Sequence, residues 1–153
     1  MALTANELNK INIMFPFAEK DWAITSGFGW RWRSGKLDFH TGVDIAAYCG
    51  TEVLAAHSGS VLKISEDALS GRYIVIESDD HNYKTYYLHL NGAPIAVWTP
   101  GTPVTKGEVI GYVGGTGSAE GVHLHFELQY KEENDTEFKV VNPMTFISDY
   151  QPK

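Results

Sequence analysis

The sequence predicts one mainly β domain, built as a single antiparallel β-sheet with few short helices. Beyond Pro16 no long helical periodicity remains. The chain instead offers short segments rich in Val, Ile, Tyr and Phe, which Gly, Asp and Asn interrupt. At 153 residues the chain is long enough to bury a core of its own.

Five segments are predicted to form strands or strand pairs. The loop SDDHN between two of them is typical of a hairpin, which would place its flanking strands side by side. The segments are EVLAAHSGSVLKIS (52–65), RYIVIES (72–78), YKTYYLHL (83–90), EVIGYVG (108–114) and VHLHFELQY (122–130).

The two ends of the chain are predicted to carry the little helix there is. Residues 6–14 place Leu8, Ile11 and Met14 at roughly helical spacing, and Pro143 in NPMTFI is positioned to begin a short helical turn. We therefore divide the chain into an N-terminal leader with a short helix (1–20), a main domain (21–148) and a C-terminal tail (149–153).

Composition excludes several classes of function. The formal net charge of −7 gives no general attraction to phosphate backbones, so a nucleic-acid partner is not expected. No window approaches eighteen apolar residues, so we expect no membrane span. Cys49 is the only cysteine, which excludes an internal disulfide and a thiolate metal site. MALTANELNK lacks the basic and apolar regions of a signal peptide, so the export route is left open.

The segment GVHLHFEL places two histidines on one face of a predicted strand. Because side chains alternate along a strand, His123, His125 and Glu127 share one face, and the apolar residues between them share the other. The apolar face belongs to a core. The polar face must then meet a cavity, solvent or a metal, because an unsatisfied buried imidazole is costly. Structural and metal-binding or catalytic roles both remain open here.

A second segment, DFHTGVDIAA, favours a metal. It places His40 and Asp44 four residues apart, and Gly42 between them leaves room for a shared site. Together the two segments offer two or three imidazoles and one carboxylate, with no thiol. That set suits a catalytic zinc ion, which takes three protein ligands and keeps a fourth position open.

A third histidine, His89 in YYLHL, is predicted to alternate with Tyr87, opposite Leu88 and Leu90. Taken alone, it is typical of a half-buried structural histidine. A zinc hydrolase, however, also needs a proton acceptor and a donor for the developing oxyanion. Histidines that do not bind the metal are candidates for both roles.

These residues resemble the lysostaphin-type (LytM-like) zinc endopeptidases, which cut peptidoglycan peptides. The resemblance covers most of the chain, through SGFGWR, FHTGVDIAA, GTEVLAAHSGSV, KTYYLHL, VTKGEVIGYVGGTG and GVHLHFE in that order. It implies the lysostaphin-type catalytic fold, a folded sheet with a groove, so that the main domain (21–148) is a catalytic domain.

The resemblance also assigns roles. It implies that Zn²⁺ is bound by His40, Asp44 and His125, and that His89 and His123 are the catalytic histidines. The implied function is hydrolysis of peptide bonds in the cross-links or stem peptides of bacterial peptidoglycan, by zinc-activated water. A non-enzymatic relative that binds wall peptides or regulates another hydrolase is the alternative. Such relatives lose zinc ligands, whereas every expected position is filled here.

The remaining polar candidates are given simpler roles. Glu127 either orients a histidine or is a surface acid on the strand. His57 and His81 lie in turn-like contexts and are predicted at the surface. Cys49 is predicted to be a small buried side chain.

Substrate selection is expected to reside in loops. RWRSGKLD, DALSGR and NGAPIAVWTPG are the predicted groove walls, and Trp30 and Trp32 either contact substrate or pack. Exchanging residues 91–101 for a generic loop should change substrate preference without changing zinc content. The expected partner is a peptidoglycan peptide outside the cell, reached through another domain or a phage or cell-wall assembly.

Overall fold

The computed structural model describes residues 10–91, 98–117, 119 and 121–147. Strands dominate this part of the chain, and one short 3-10 helix, Pro143–Phe146, follows them. The strands are β1 (Trp22–Ser26), β2 (Gly29–Arg33), β3 (Lys36–His40), β4 (Val43–Ala47), β5 (Glu52–Leu54), β6 (Gly59–Asp67), β7 (Gly71–Ser78), β8 (Tyr83–Leu90), β9 (Pro103–Val104), β10 (Val109–Tyr112), β11 (His123–Tyr130) and β12 (Lys139–Val141).

One eight-stranded sheet organises the domain. Its strands follow the order β1-β4-β11-β8-β7-β6-β9, with β12 beside the far end of β11. Two two-stranded sheets, β10-β5 and β2-β3, lie apart from it. Every pairing between these named strands is antiparallel. The predicted antiparallel, mainly β fold is therefore confirmed, with two small sheets beside the main one.

The predicted strand segments match β7, β8, β10 and β11 closely, and SDDHN is the loop between β7 and β8. The segment 52–65 is divided by a bend into β5 and β6. Strands β1 to β4, and the short β9 and β12, lie outside the five predicted segments. Of these, β2 and β3 carry polar and exposed side chains on much of their length, which hides the alternation that a half-buried strand shows.

The core lies against one face of the main sheet. On β11 the apolar residues Leu124, Phe126 and Leu128 are all 0% exposed. Ile74 and Ile76 of β7 contribute from the same layer. The predicted alternation of β11 is thus confirmed, because His123, His125 and Glu127 occupy the opposite face, where the cleft described below opens.

The N-terminal segment is part of this core. Ile11, Ile13, Phe15 and Phe17 are all buried within it. Ile13 forms an isolated parallel bridge with Ile147, so the predicted helix does not extend to Met14. Residues 6–9, the first part of the segment predicted to be helical, are outside the described residues, and the domain boundary at 20/21 stays a prediction.

The C-terminal turn agrees with the prediction. Pro143 begins the 3-10 helix, and the Asn142 side chain accepts a hydrogen bond from the Met144 backbone N–H. Within the described residues, no helix has both the length and the apolar character needed to span a membrane.

Candidate metal centre and cleft

A cleft of about 620 Å³ opens on the polar face of the main sheet. All the residues predicted for the site line it, although they come from four different strands. They are His40, Asp44, His89, His123 and His125.

Two of these residues flank the bend between β3 and β4. His40 ends β3, and Asp44 is the second residue of β4, between the buried Val43 and Ile45. Gly42 allows the close approach of β11, since a Cβ there would lie 2.4 Å from the Phe126 carbonyl oxygen and 2.9 Å from His125 Nε2. The prediction that Gly42 leaves room for a shared site is confirmed.

Strand register brings the third residue to this pair. His125 of β11 is the direct partner of Asp44 on β4, so the two side chains share a face. Asp44 Oδ1 lies 3.1 Å from His40 Nε2 and 3.1 Å from His125 Nδ1, and the two nitrogens are 3.2 Å apart. Three potential ligand atoms therefore converge on one point.

Hydrogen bonds on the far side of each ring determine which atoms face this point. His40 Nδ1 donates to the Gly27 carbonyl oxygen at 2.9 Å, and His125 Nε2 donates to Glu127 Oε1 at 3.1 Å. In a neutral ring the inward nitrogen then carries a lone pair. Two lone pairs and a carboxylate oxygen repel one another unless a cation or a proton lies between them, so this donor set fits a metal ion such as zinc.

The pKa shifts of the acid and its partner reflect this arrangement. Burial would raise the pKa of Asp44, but hydrogen bonds to His125 and His40 outweigh it and hold the pKa far below its usual range. Burial would likewise lower the pKa of His125, yet its bonds to Asp44 and Glu127 raise it to about 9. The atoms that attract a proton so strongly are the atoms that a metal cation would bind.

The remaining two histidines lie beside this group. The rings of His89 and His123 have centroids 5.0 Å apart, and His123 Nε2 lies 3.6 Å from Asp44 Oδ1. Neither belongs to the group of converging ligand atoms among the described residues. The cleft thus holds one cluster suited to a metal and a neighbouring pair of imidazoles.

The structure corrects the predicted orientation of His89. Strict alternation would place His89 on the face of Tyr87, which is fully buried in the core. From Tyr87 to Leu90, however, β8 advances three residues while its partner β7 advances only two. His89 lies within this extra step and has a φ of 65°. This β-bulge reverses the alternation, so that Leu90 enters the core while the His89 ring faces the cleft.

Backbone contacts hold His89 in this position. Its N–H donates to the Ser70 carbonyl oxygen, and its Nδ1 donates to the Thr116 carbonyl oxygen at 2.7 Å. Nε2 is therefore the nitrogen that can accept a proton. Burial lowers the pKa of His89, which favours the neutral ring. Thr116 gave no signal in the sequence, because its contribution is a backbone carbonyl.

Glu127 is a buried partner of His125 and not a surface acid. Its Oε1 accepts hydrogen bonds from His125 Nε2 and, at 2.7 Å, from Thr41 Oγ1. Its Oε2 accepts from Gln129 Nε2. Burial would raise the pKa of Glu127, but these bonds outweigh it and lower the pKa. The sequence indicated Glu127 through its phase on β11, whereas Thr41 was missed.

Two of the simpler predictions are wrong. His57 is 1% exposed and not at the surface. It lies between the buried Ala56 and Gly59, and its ring contacts Thr85 on the core face of β8. Cys49 is exposed and not buried, because it lies in the turn that leaves β4, next to Gly50 with its φ of 90°. His81 is exposed in the β7–β8 loop, as predicted.

The predicted groove walls agree in part with the cleft. The β2–β3 hairpin contributes Arg31, Trp32 and Phe39, and the loop before β7 contributes Leu69 and Ser70. On this hairpin Trp30 and Trp32 are 70% and 76% exposed. In the third wall, residues 92–97 lie outside the described residues, so its role stays a prediction.

Fold and site together define a β-sheet protein with a histidine- and aspartate-lined metal cleft. Comparison with known sequences gives the family: residues 38–138 match peptidase family M23, and the chain belongs to that family. The curated relative peptidoglycan DD-endopeptidase ShyB from Vibrio cholerae is 34% identical over 128 residues, which cover 80% of this chain and 29% of the relative. The chain thus spans less than a third of that relative's length.

Solved structures agree with this membership. A zinc-containing peptidase from Vibrio cholerae superposes with a TM-score of 0.68 at 33% identity, over 77% of this chain and 36% of that one. The catalytic domain of the prophage-encoded M23 protein EnpA from Enterococcus faecalis, in a mutant form, also gives 0.68 at 31% identity, over 86% of this chain and 95% of that one.

Proposed function

We propose that this chain is a zinc-dependent endopeptidase that hydrolyses peptide bonds in the cross-links or stem peptides of bacterial peptidoglycan. The observation that carries the proposal is the convergence of His40 Nε2, Asp44 Oδ1 and His125 Nδ1 beside two further histidines in an open cleft. The name of the relative ShyB, a peptidoglycan DD-endopeptidase, supports the substrate class.

His40, Asp44 and His125 are the proposed zinc ligands. Two neutral imidazoles and one carboxylate leave the ion with a net positive charge and an open position. When bound, zinc polarises a carbonyl oxygen and lowers the pKa of a water molecule in contact with it. Glu127 keeps His125 in the tautomer that binds through Nδ1, since it accepts the proton on Nε2.

His89 and His123 are the proposed catalytic residues. One of them accepts a proton from the attacking water and delivers it to the leaving amine, and the other donates a hydrogen bond to the oxyanion of the tetrahedral intermediate. The Thr116 carbonyl fixes the tautomer of His89, so its Nε2 is ready to accept a proton. The lowered pKa keeps His89 neutral at pH 7, as a base requires.

The cleft suits an extended peptide at the bacterial cell wall. It is open along the polar face of the sheet, and the β2–β3 hairpin forms one of its walls. The net charge of −7 gives no electrostatic attraction to an anionic wall. We therefore propose that another domain, or a phage or cell-wall assembly, delivers this catalytic unit to its substrate.

Ligand and catalyst variants test these assignments together. His125→Ala and Asp44→Ala should lose both bound zinc and hydrolysis of peptidoglycan. His123→Ala should keep zinc at wild-type stoichiometry while hydrolysis falls by about 10²- to 10⁴-fold, the usual contribution of acid–base catalysis. Metal analysis and release of soluble wall fragments measure the two properties.

Chelation tests the metal requirement in the wild type. A chelator should abolish hydrolysis, and added Zn²⁺ should restore it. Wild-type hydrolysis by His123→Ala would contradict its catalytic role. Stoichiometric zinc without hydrolysis of any wall would favour the non-enzymatic, wall-peptide-binding alternative.

A further inference from the structure

The segment SGFGWR (26–31) surrounds the proposed ligands His40 and Asp44 from outside the cluster. Ser26, at the end of β1, is the cross-strand partner of Asp44. The Gly27 carbonyl accepts the His40 Nδ1 proton, as described above. The last residue of the segment, Arg31, extends from the separate β2–β3 hairpin toward Asp44.

Arg31 makes three polar contacts that fix its guanidinium. Nε donates to Asp38 Oδ2 at 3.2 Å on the facing strand, and Nη1 donates to Ser26 Oγ. Nη1 also lies 3.5 Å from Asp44 Oδ2. The Arg31 side chain is 21% exposed and that of Asp44 is 16% exposed, so water screens this pair only in part.

The two oxygens of Asp44 are therefore divided between two sets of partners. Oδ1 faces His40, His125 and, at 3.6 Å, His123. Oδ2 faces Arg31. A carboxylate without such an outer partner can rotate and offer either oxygen, or both, to a metal.

We propose that Arg31 is a positioning residue that holds Asp44 with Oδ1 directed at the metal. The proposal rests on the ligand set given under the proposed function. The β2–β3 hairpin then has a second task besides lining the cleft, since it carries the guanidinium that orients a ligand on β4. The planar fork of arginine suits this task, because it contacts Asp38, Ser26 and Asp44 at once.

Zinc affinity distinguishes a positioning role from a simple charge effect, because the two predict changes in affinity of opposite direction when Arg31 is removed. If Arg31 were only a nearby cation, its removal would relieve repulsion of Zn²⁺ and tighten binding. If it positions Asp44, its removal should weaken binding. Partners of this kind typically contribute about 10- to 100-fold in metal affinity.

The experiment titrates Zn²⁺ against a competing chelator in the wild type, Arg31→Gln, Arg31→Lys and Arg33→Gln. Arg33 is the matched control, since it is an exposed arginine on the same hairpin and its removal changes the charge equally. Arg31→Gln should lose about 10- to 100-fold in zinc affinity, and Arg33→Gln should keep the wild-type value. The visible spectrum of the Co²⁺-loaded Arg31→Gln protein should also differ from wild type, because Asp44 coordinates differently.

Wild-type or tighter zinc binding by Arg31→Gln would overturn the proposal. If Arg31→Gln does not fold, Arg31→Lys decides, since it keeps the charge but cannot make all three contacts. Weaker binding by Arg31→Lys supports positioning, and unchanged binding overturns it. A wild type that binds no zinc would overturn the proposed metal site itself, and with it this role.

Discussion

His89 stands apart among the residues with left-handed backbone. In the described part of the chain, the non-glycine residues with positive φ are Ser34, His81 and His89. Ser34 and His81 lie in hairpin loops, where such backbone is common. His89 instead lies within β8 and is 7% exposed. This strain, on the order of 1 kcal/mol, coincides with the bulge that turns its ring into the cleft, which is typical of functional sites.

His57 is a buried histidine on the core side of the sheet, away from the cleft. Its Nδ1 donates to the Ser58 carbonyl oxygen at 2.9 Å, and its Nε2 lies 2.9 Å from Thr85 Oγ1. Thr85 is hydrogen-bonded in turn to the Tyr87 hydroxyl. Burial lowers the pKa of His57, although the Ser58 carbonyl acts in the opposite direction. His57 therefore serves the fold and not the proposed reaction.

This burial predicts a loss of stability in mild acid. The folded pKa of His57 lies below the unfolded value of about 6.5, so the unfolded chain binds more protons between these two values. The free energy of unfolding should then fall as the pH drops below about 6.5, by at most about 1.4 kcal/mol per pH unit for this one proton. Urea unfolding of the zinc-loaded protein at pH 7.5 and 5.5 measures the loss.

Glutamine variants isolate the contribution of His57 from that of other histidines. His57→Gln should show a smaller loss between the two pH values than wild type. His81→Gln, at a largely exposed side chain that pairs with Glu77, is the comparison variant for the removal of a histidine as such. Identical losses in wild type and His57→Gln would contradict this account.

At the scale of elements, the N-terminal segment 11–17 is packed into the core, although it lies within the predicted leader. Four of its apolar side chains, Ile11, Ile13, Phe15 and Phe17, lie in the core, and Ile13 pairs with Ile147 at the end of the C-terminal turn. The Met14 N–H also donates to the Ala56 carbonyl oxygen, and the Leu54 N–H donates to that of Pro16. We therefore expect the segment to contribute directly to the stability of the catalytic unit.

A single core substitution tests this expectation. Ile13→Ala should lower the free energy of unfolding by about 2 to 5 kcal/mol, because Ile13 is 0% exposed. Glu19→Ala, in the same part of the chain but exposed, should remain close to wild type. Equal urea midpoints for the two variants would instead favour an independent leader over residues 1–20.

Elements also show where prediction from the sequence succeeds and where it fails. The face of β11 could be predicted because that strand alternates without interruption. The orientation of His89 could not, because a bulge depends on the pairing of β8 with β7. Arg31 could not be linked to Asp44 either, since the contact joins two separate sheets.

At the scale of the whole molecule, the site depends on the register of distant strands. His125 is opposite Asp44, whereas His123 is opposite Ala46, which offers no ligand atom. This register gives a physical basis for the proposed division of the two histidines of HLH into ligand and catalyst, which strand spacing alone left open. The antiparallel architecture could be predicted from composition and from the Gly, Asp and Asn residues that separate the apolar segments. The register of its strands could be read only from the folded structure.

The central claim is that this cleft cuts peptidoglycan peptides, and mass spectrometry of digested walls tests it most directly. Purified peptidoglycans with direct D-Ala–diaminopimelate links, glycine bridges and mixed bridges should each be incubated with the zinc-loaded wild type and with His123→Ala. The account predicts new peptide termini in at least one wall with the wild type, and their absence with His123→Ala. Wild-type protein that holds zinc and yet produces no new termini in any of these walls would contradict the account.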